Sequence, residues 1–214
     1  MSQRTSALAA PPAPPQPAEA LVVLARGPDV PDWVVQACRR TGRQVRIEPV
    51  SGAAEDRLRT VAALAGHSVL VASPQDAGRA GTRRVVAAVR DLPTDAAVLA
   101  EAAAAAAGLG AAVVPVHGVP LSFGQRSVGL PDALAHGHEV LEEAVAQLGA
   151  AVPGLTVLPR LLRVRAHELM GEALGADLLV VGGPRPRIPA RVGLVGASAV
   201  QHAPCPVLLA ARPA

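Results

Sequence analysis

The residues whose types and spacing best fit a chemical task lie between positions 176 and 209. An apolar run (Leu178, Leu179, Val180, Val181) ends in Gly182 and Gly183, and a loop follows with Arg185, Arg187 and Arg191. Then come Gly193, Gly196, Ala197 and Ser198, and a second apolar run, Val207, Leu208 and Leu209, after Pro206. This order reads as a buried strand, a glycine-started loop, a short helix and a second buried strand. Backbone N–H groups at a glycine turn and at a helix N-terminus point at an incoming anion, and the helix dipole adds partial positive charge. Arginines beside them add charge-assisted contacts to phosphate oxygens. The chemistry implied is the holding of a phosphate. The residues alone also admit a plainer account: glycine ends a buried strand, and the arginines are ordinary surface charge in a chain that has no lysine.

The rest of the chain argues against several other chemistries. Without lysine there is no P-loop lysine, no Schiff base and no Ser-Lys pair. His136 and His138 are two apart on a helix and face different directions; His138 and Glu142 share a face but make only two ligands, so no metal site is expected. His167, Glu168 and His202 form no triad, since no G-x-S-x-G turn presents a serine, and no catalytic residue is expected. His117 ends a strand near the proposed cleft, either touching a ligand or held as a hydrogen-bonded strand-end imidazole. Trp33 and Phe123 are the whole aromatic content, too little for base stacking. The net charge is +3, with 11 arginines against 10 acidic residues from Arg83 onward, so no basic stripe announces a nucleic acid. Cys38 and Cys205 are isolated thiols that fit a reducing compartment. No charge-free apolar run reaches the ~20 residues of a membrane span, and a cytoplasmic protein is expected.

These candidates need elements to position them. Residues 1–18 are a Pro/Ala-rich tail, read as disordered. Residues 19–82 read as a small β-α-β-α-β unit, with strands at 21–24, 45–50 and 68–72 and helices at 31–41 and 54–65. Residues 83–214 read as a larger unit with strands at 85–89, 112–116, 155–162, 177–182 and 206–210. Its helices are expected at 94–108, capped by Thr94 and stopped by Gly108, and at 131–147, 164–174 and 191–202. Continuous Val/Leu strands between amphipathic helices predict an α/β fold, a doubly wound parallel sheet with helices on both faces. Ligands in such sheets bind beyond the carboxyl ends of the strands where strand order reverses, which makes the ends at Val89 and Val181 the lips of a cleft.

Residues 83–212 resemble the universal stress protein family. Arg84 through Val89 are similar to its first strand, residues 110–117 to its second, and 176–209 to its C-terminal signature down to His202-Ala203-Pro204-Cys205-Pro206-Val207. The resemblance implies a domain that binds ATP or AMP: a G-x2-G-x9-G-[ST] pattern contacts the phosphates, an acid ending the first strand contacts the nucleoside, and a valine ending the second meets the adenine. Carried over, Gly182 is the first glycine and Gly183 its neighbour, but the second glycine falls on Arg185. Ten residues then precede Gly196, and the hydroxyl position is Ala197 with Ser198 one step late, a turn of about 100° around a helix. Counting back from His202 puts the final pair on Gly193-Leu194, again without a hydroxyl. The acidic position falls on Arg90, beside Asp91, at the end of the strand that Val89 closes; Val116 matches the adenine-side valine. Each lost charge-assisted bond costs roughly 1.5–3 kcal/mol, so three departures weaken binding by about three or more decades, part of which Arg185, Arg187 and Arg191 return.

The resemblance therefore implies a non-enzymatic regulatory protein of the stress response with a degenerate adenine-nucleotide site, of the tandem type with residues 19–82 as a shortened first copy; having no glycine loop of their own, residues 19–82 also read as a stabilising lobe without a ligand. Family members commonly form homodimers, often through the last strand, and the apolar residues 207–210 are the expected edge. Two alternatives stay open: a dimeric scaffold that binds no nucleotide, and a nucleotide hydrolase, which would need a Mg²⁺-holding carboxylate that only Asp91 supplies.

Overall fold

The computed structural model describes residues 20–25, 30–72, 83–92, 94–120, 129–164, 175–186 and 191–212. The expected helix at 164–174 and the terminal tail lie outside these. In chain order the elements are β1 (Ala20–Ala25), α1 (Asp32–Thr41), β2 (Gln44–Pro49), α2 (Ala54–Ala63) and β3 (Ser68–Val71), followed by β4 (Arg84–Ala88), α3 (Ala96–Leu109), β5 (Ala112–Gly118), α4 (Leu130–Ala151), β6 (Arg160–Leu162), β7 (Leu178–Gly182), α5 (Leu194–His202) and β8 (Val207–Ala210).

Among the described residues one sheet of eight strands runs β2-β1-β3-β8-β7-β4-β5-β6. The fold is the expected α/β one, with helices on both faces. Strands β1, β3, β4, β5, β7 and β8 are buried on both faces, which is why their sequences are unbroken Val, Leu and Ala rather than alternating. One face packs Val34 and Cys38 of α1, the alanines of α3, and Val140, Leu141, Ala144 and Leu148 of α4 against Val23, Leu70, Val85, Val113 and Val180. The other packs Val61 of α2 and Ala199 and Val200 of α5 against Val22, Val69, Val86, Val114 and Leu209. Both cores draw residues from 20–72 and from 83–212, so the smaller unit extends the larger unit's sheet.

The join between them corrects the reading of the last strand. Every other pairing among the described strands is parallel, but β3 pairs antiparallel with β8, placing Val69 opposite Leu209, Leu70 opposite Leu208 and Val71 opposite Val207. Strand β8 thus lies inside the sheet, between β3 and β7. The apolar edge assigned to a homodimer is covered within the chain, so pairing of two copies through the final strand has no free hydrogen-bonding edge to use. The edges of the sheet are β2 and β6.

Helix α3 shows why the alanine tract exists. It is buried almost all round, and small side chains let α1 approach it. A Cβ on Gly108 would lie 2.8 Å from Ala37 Cβ and 2.9 Å from the Trp33 carbonyl oxygen. Gly108 therefore serves close packing and does not stop the helix; the stop is Gly110, in the left-handed conformation at φ 62°. Thr94 does not cap α3 either. Asp95 occupies the cap position, makes no capping bond, and turns its carboxylate elsewhere. The strand expected at 155–162 is shorter, with only Arg160–Leu162 in the ladder and Val157 bridging Val113. Helix α5 begins at Leu194, which leaves Arg191 and Gly193 in the loop that precedes it.

A buried polar cluster fastens the two units. Glu101 of α3 takes a bidentate contact from Arg43, at 2.5 and 2.9 Å, with side-chain exposures of 1% and 5%. The Ser68 hydroxyl donates to Glu101 Oε1 at 2.5 Å and accepts the Ala211 N–H at 3.0 Å. Every member of this cluster joins residues far apart in sequence, and charges this deeply buried need such partners.

Candidate functional site

The carboxyl ends of β4, β5 and β7 open on a cavity of about 760 Å³. Strand β4 lies between β5 and β7, with the chain passing from β4 through α3 to β5 on one side. That is the crevice where strand order reverses and where such sheets bind ligands. A volume of this size falls in the range of about 300–1,000 Å³ typical of small-molecule sites.

The chain just past β4 contributes Val89 and Arg90. Val89 is buried and its N–H donates to the Val116 carbonyl at 2.9 Å, holding the two strand ends together. The exposed Arg90 side chain lies along the wall and donates Nε–H to Asp91 Oδ2 at 2.9 Å. Asp91 does not line the cavity, and a hydrogen bond from Thr94, aided by the Arg90 guanidinium, holds its carboxyl below the usual carboxylate range against the opposing effect of burial. The acid on the wall is Asp95, four residues further on and 3% exposed. Its Oδ2 accepts N–H bonds from Arg90 at 2.8 Å and Asp91 at 3.4 Å, and its Oδ1 accepts from Arg212 at 2.8 Å. Neither Asp95 nor Arg212 stood out in the sequence. An acid at a helix cap position was the available signal for the first; nothing local marks the second.

From β5, Val116 is buried in the core facing Val86, Val114 and Val181 and does not reach the cavity; His117 and Gly118 do. The His117 ring meets His136 of α4 edge to face, with centroids 6.0 Å apart. Burial, reinforced by His136, pushes the His117 pKa below its ordinary value, against weaker opposing pulls from the Val89 backbone and Asp95. His117 is thus the neutral imidazole of a partly polar wall. His138 points away and is exposed.

From β7 and α5 come the glycines and arginines. Gly182, Gly183, Arg185, Arg191, Gly193 and Gly196 all line the cavity, whereas Ala197 and Ser198, half-buried at the end of the first turn of α5, do not. Arg187 lies outside the described residues. The glycines answer to packing. A Cβ on Gly183 would lie 2.7 Å from the Ala210 carbonyl oxygen, to which the Gly183 N–H donates at 2.9 Å, and one on Gly196 would lie 3.0 Å from Val192 Cγ1. The Gly183 amide is spent on the sheet and is not offered to a ligand. The start of α5 differs: its cap residue Gly193 provides no side-chain cap, and residues 193–196 face the cavity, so the first amides of the helix are donors without a helical acceptor. Among the described residues of the walls, Arg90, Arg185, Arg191 and Arg212 stand with one carboxylate, Asp95. The cavity is therefore suited to an anion.

Comparison with known proteins agrees with this architecture. Residues 81–211 match the Universal stress protein family. Among solved structures, the universal stress protein from Archaeoglobus fulgidus is 24% identical at a TM-score of 0.50, covering 60% of this chain and 93% of that one. A hypothetical protein whose biochemical function was assigned from its structure is 17% identical at a TM-score of 0.51, covering 61% and 96%. The Archaeoglobus protein has also been solved in complex with dAMP, 24% identical at a TM-score of 0.48 over 62% of this chain and 99% of that one. None of the curated proteins matches the chain. The likeness to the solved structures is one of fold. The match over residues 81–211, together with the strand order and the cavity at the switch point, makes the chain a member of the Universal stress protein family.

Proposed function

We propose that this chain is a cytoplasmic regulatory protein of the stress response that binds an adenine nucleotide, AMP or ATP, in the cavity at the ends of β4, β5 and β7. The observation that carries this reading is the wall composition: among the described residues, the N-terminus of α5, whose cap residue makes no side-chain bond, and four arginines line a space of nucleotide size together with one carboxylate. The phosphate contacts in this reading come from the α5 amides with Arg185 and Arg191, because the second motif glycine is Arg185 and the hydroxyl position is Ala197. The base then rests toward His117 and Val119, on the apolar and imidazole wall. Regulation rather than turnover is the reading favoured by Asp95, whose two oxygens are already bonded to Arg212 and to two backbone amides and so are poorly placed to hold Mg²⁺ for phosphoryl transfer.

The test is calorimetric titration of the full chain with AMP, ATP and adenosine. Binding of the nucleotides, weakened about tenfold or more by Arg191→Ala with little change for adenosine, is the expected result. Absence of heat and of any thermal shift at millimolar nucleotide favours a scaffold. Release of phosphate from ATP above background would bring back the hydrolase.

A further inference from the structure

Arg212 lies two residues past β8, and no family motif accounts for it. Its guanidinium nevertheless reaches the cavity wall. It does so across Gly182: a Cβ there would sit 2.0 Å from Arg212 Nη2 and 2.6 Å from Cζ and Nε. The missing side chain of Gly182 is what leaves room for this arginine. Nη2 donates to Asp95 Oδ1, while Nε and Nη1 donate to no described group. A cation with donors to spare therefore faces the same space as Arg90, Arg185 and Arg191.

Its placement is supported from the smaller unit. The Ala211 N–H beside it is held by Ser68 Oγ, Ser68 is bonded to Glu101, and Glu101 is gripped by Arg43. Ser68 opens β3, and the antiparallel β3–β8 pairing is what brings the amino end of β3 to the carboxyl end of β8, next to the cavity. The string from Arg43 to Arg212 thus runs from residues 20–72 into the site of residues 83–212.

We infer that Arg212 is an anion ligand of the cavity, positioned by Ser68 through the Ala211 amide, and that the Asp95 carboxylate paired with it offsets part of its charge toward the bound anion. This deepens the nucleotide reading given above and rests on it for the choice of AMP as ligand, but the anion contact stands on Arg212 itself. A phosphate oxygen that takes the spare guanidinium donors gains charge-assisted hydrogen bonds without moving the Asp95 contact. Removing the Asp95 charge leaves more of the arginine's field to the ligand. Asp95 and Arg212 then have opposite signs: loss of the arginine weakens anion binding, and loss of the carboxylate strengthens it. A purely structural ion pair would show damage from both.

The experiment titrates full-length protein with AMP, adenosine and inorganic pyrophosphate, with thermal melts to confirm folding. Arg212→Gln is expected to weaken AMP and pyrophosphate about tenfold while adenosine stays within about twofold. Ser68→Ala is expected to lower AMP affinity by about threefold, again sparing adenosine, as a positioning residue should. Asp95→Asn is expected to raise AMP and pyrophosphate affinity, and the gain should vanish in the Asp95→Asn, Arg212→Gln double variant. Wild-type binding of AMP unchanged in Arg212→Gln overturns the inference and leaves the nucleotide reading standing. If Arg212→Gln does not fold, weaker anion binding by Asp95→Asn overturns it equally. Pyrophosphate binding that needs Arg212, in a protein that ignores AMP, upholds the anion ligand and removes the adenine reading. A protein that binds neither probe refutes both.

Discussion

Residues 20–72 and 84–118 are built alike, as parallel strands with covering helices, yet they put their polar groups at opposite strand ends. In the larger unit the carboxyl ends of β4, β5 and β7 open on the arginine-lined cavity. In the smaller unit Arg43 and Ser68 stand at the amino ends of β2 and β3, turned inward on Glu101. The antiparallel join makes these two ends neighbours. The smaller unit therefore serves as a clamp for the larger one, and its strand β3 fills the edge of β8 that a second molecule would otherwise have to fill.

The largest way to break this comparison is to remove the clamp's charge. Glu101→Ala leaves the Arg43 guanidinium buried without its partner and is expected to cost about 3–5 kcal/mol in urea unfolding. A chain lacking residues 1–82 bares Val207–Ala210 and is expected to self-associate through that edge; light scattering would report dimers or larger species where the full chain shows none through β8. Gly183→Ala presses a methyl group on the Ala210 carbonyl. It is expected to cost about 1–3 kcal/mol and to weaken nucleotide binding by disturbing the β7–β8 ends.

A smaller effect concerns pH. The folded-state pKa of His117 lies below its unfolded value, so folding favours the neutral ring. Its contribution to stability is complete above about pH 6.5 and is lost as the pH falls from there through the lowered folded-state value. Unfolding free energies of His117→Asn should depend less steeply on pH in that window than those of the wild type. Smallest of all, Val45 and Ile47 on the exposed edge strand β2 should tolerate threonine within about 0.5 kcal/mol, in contrast with the same change at Val69 in the covered strand β3.

Much of this fold was legible because buried parallel strands write themselves as apolar runs, and because the helices carry clear periodicity. The antiparallel join was not, since a strand buried on both faces reads the same whichever way its neighbour runs. Gly108 was misread for a related reason. A glycine near the end of an alanine run looks like a stop, and only the approach of Ala37 and Trp33 shows that it is a contact. In the site, the glycines and arginines after β7 were visible from their spacing. Their physical cause was not: Gly182 makes room for Arg212 and Gly183 for the Ala210 carbonyl, side chains and backbone that meet only in the folded sheet. Asp95 was hidden behind Asp91, the acid that the strand end points to in sequence, because the turn at residues 90–95 folds back and buries the later carboxylate.

The central claim is that the cavity holds a phosphate-bearing ligand by positive charge. Equilibrium dialysis of AMP against the full chain at low and high ionic strength tests it most directly. Saturable binding of AMP that weakens steadily as salt rises is the expected result, since arginines at a partly open cavity are screened. Absence of binding at millimolar AMP in low salt, or binding indifferent to ionic strength, would contradict it.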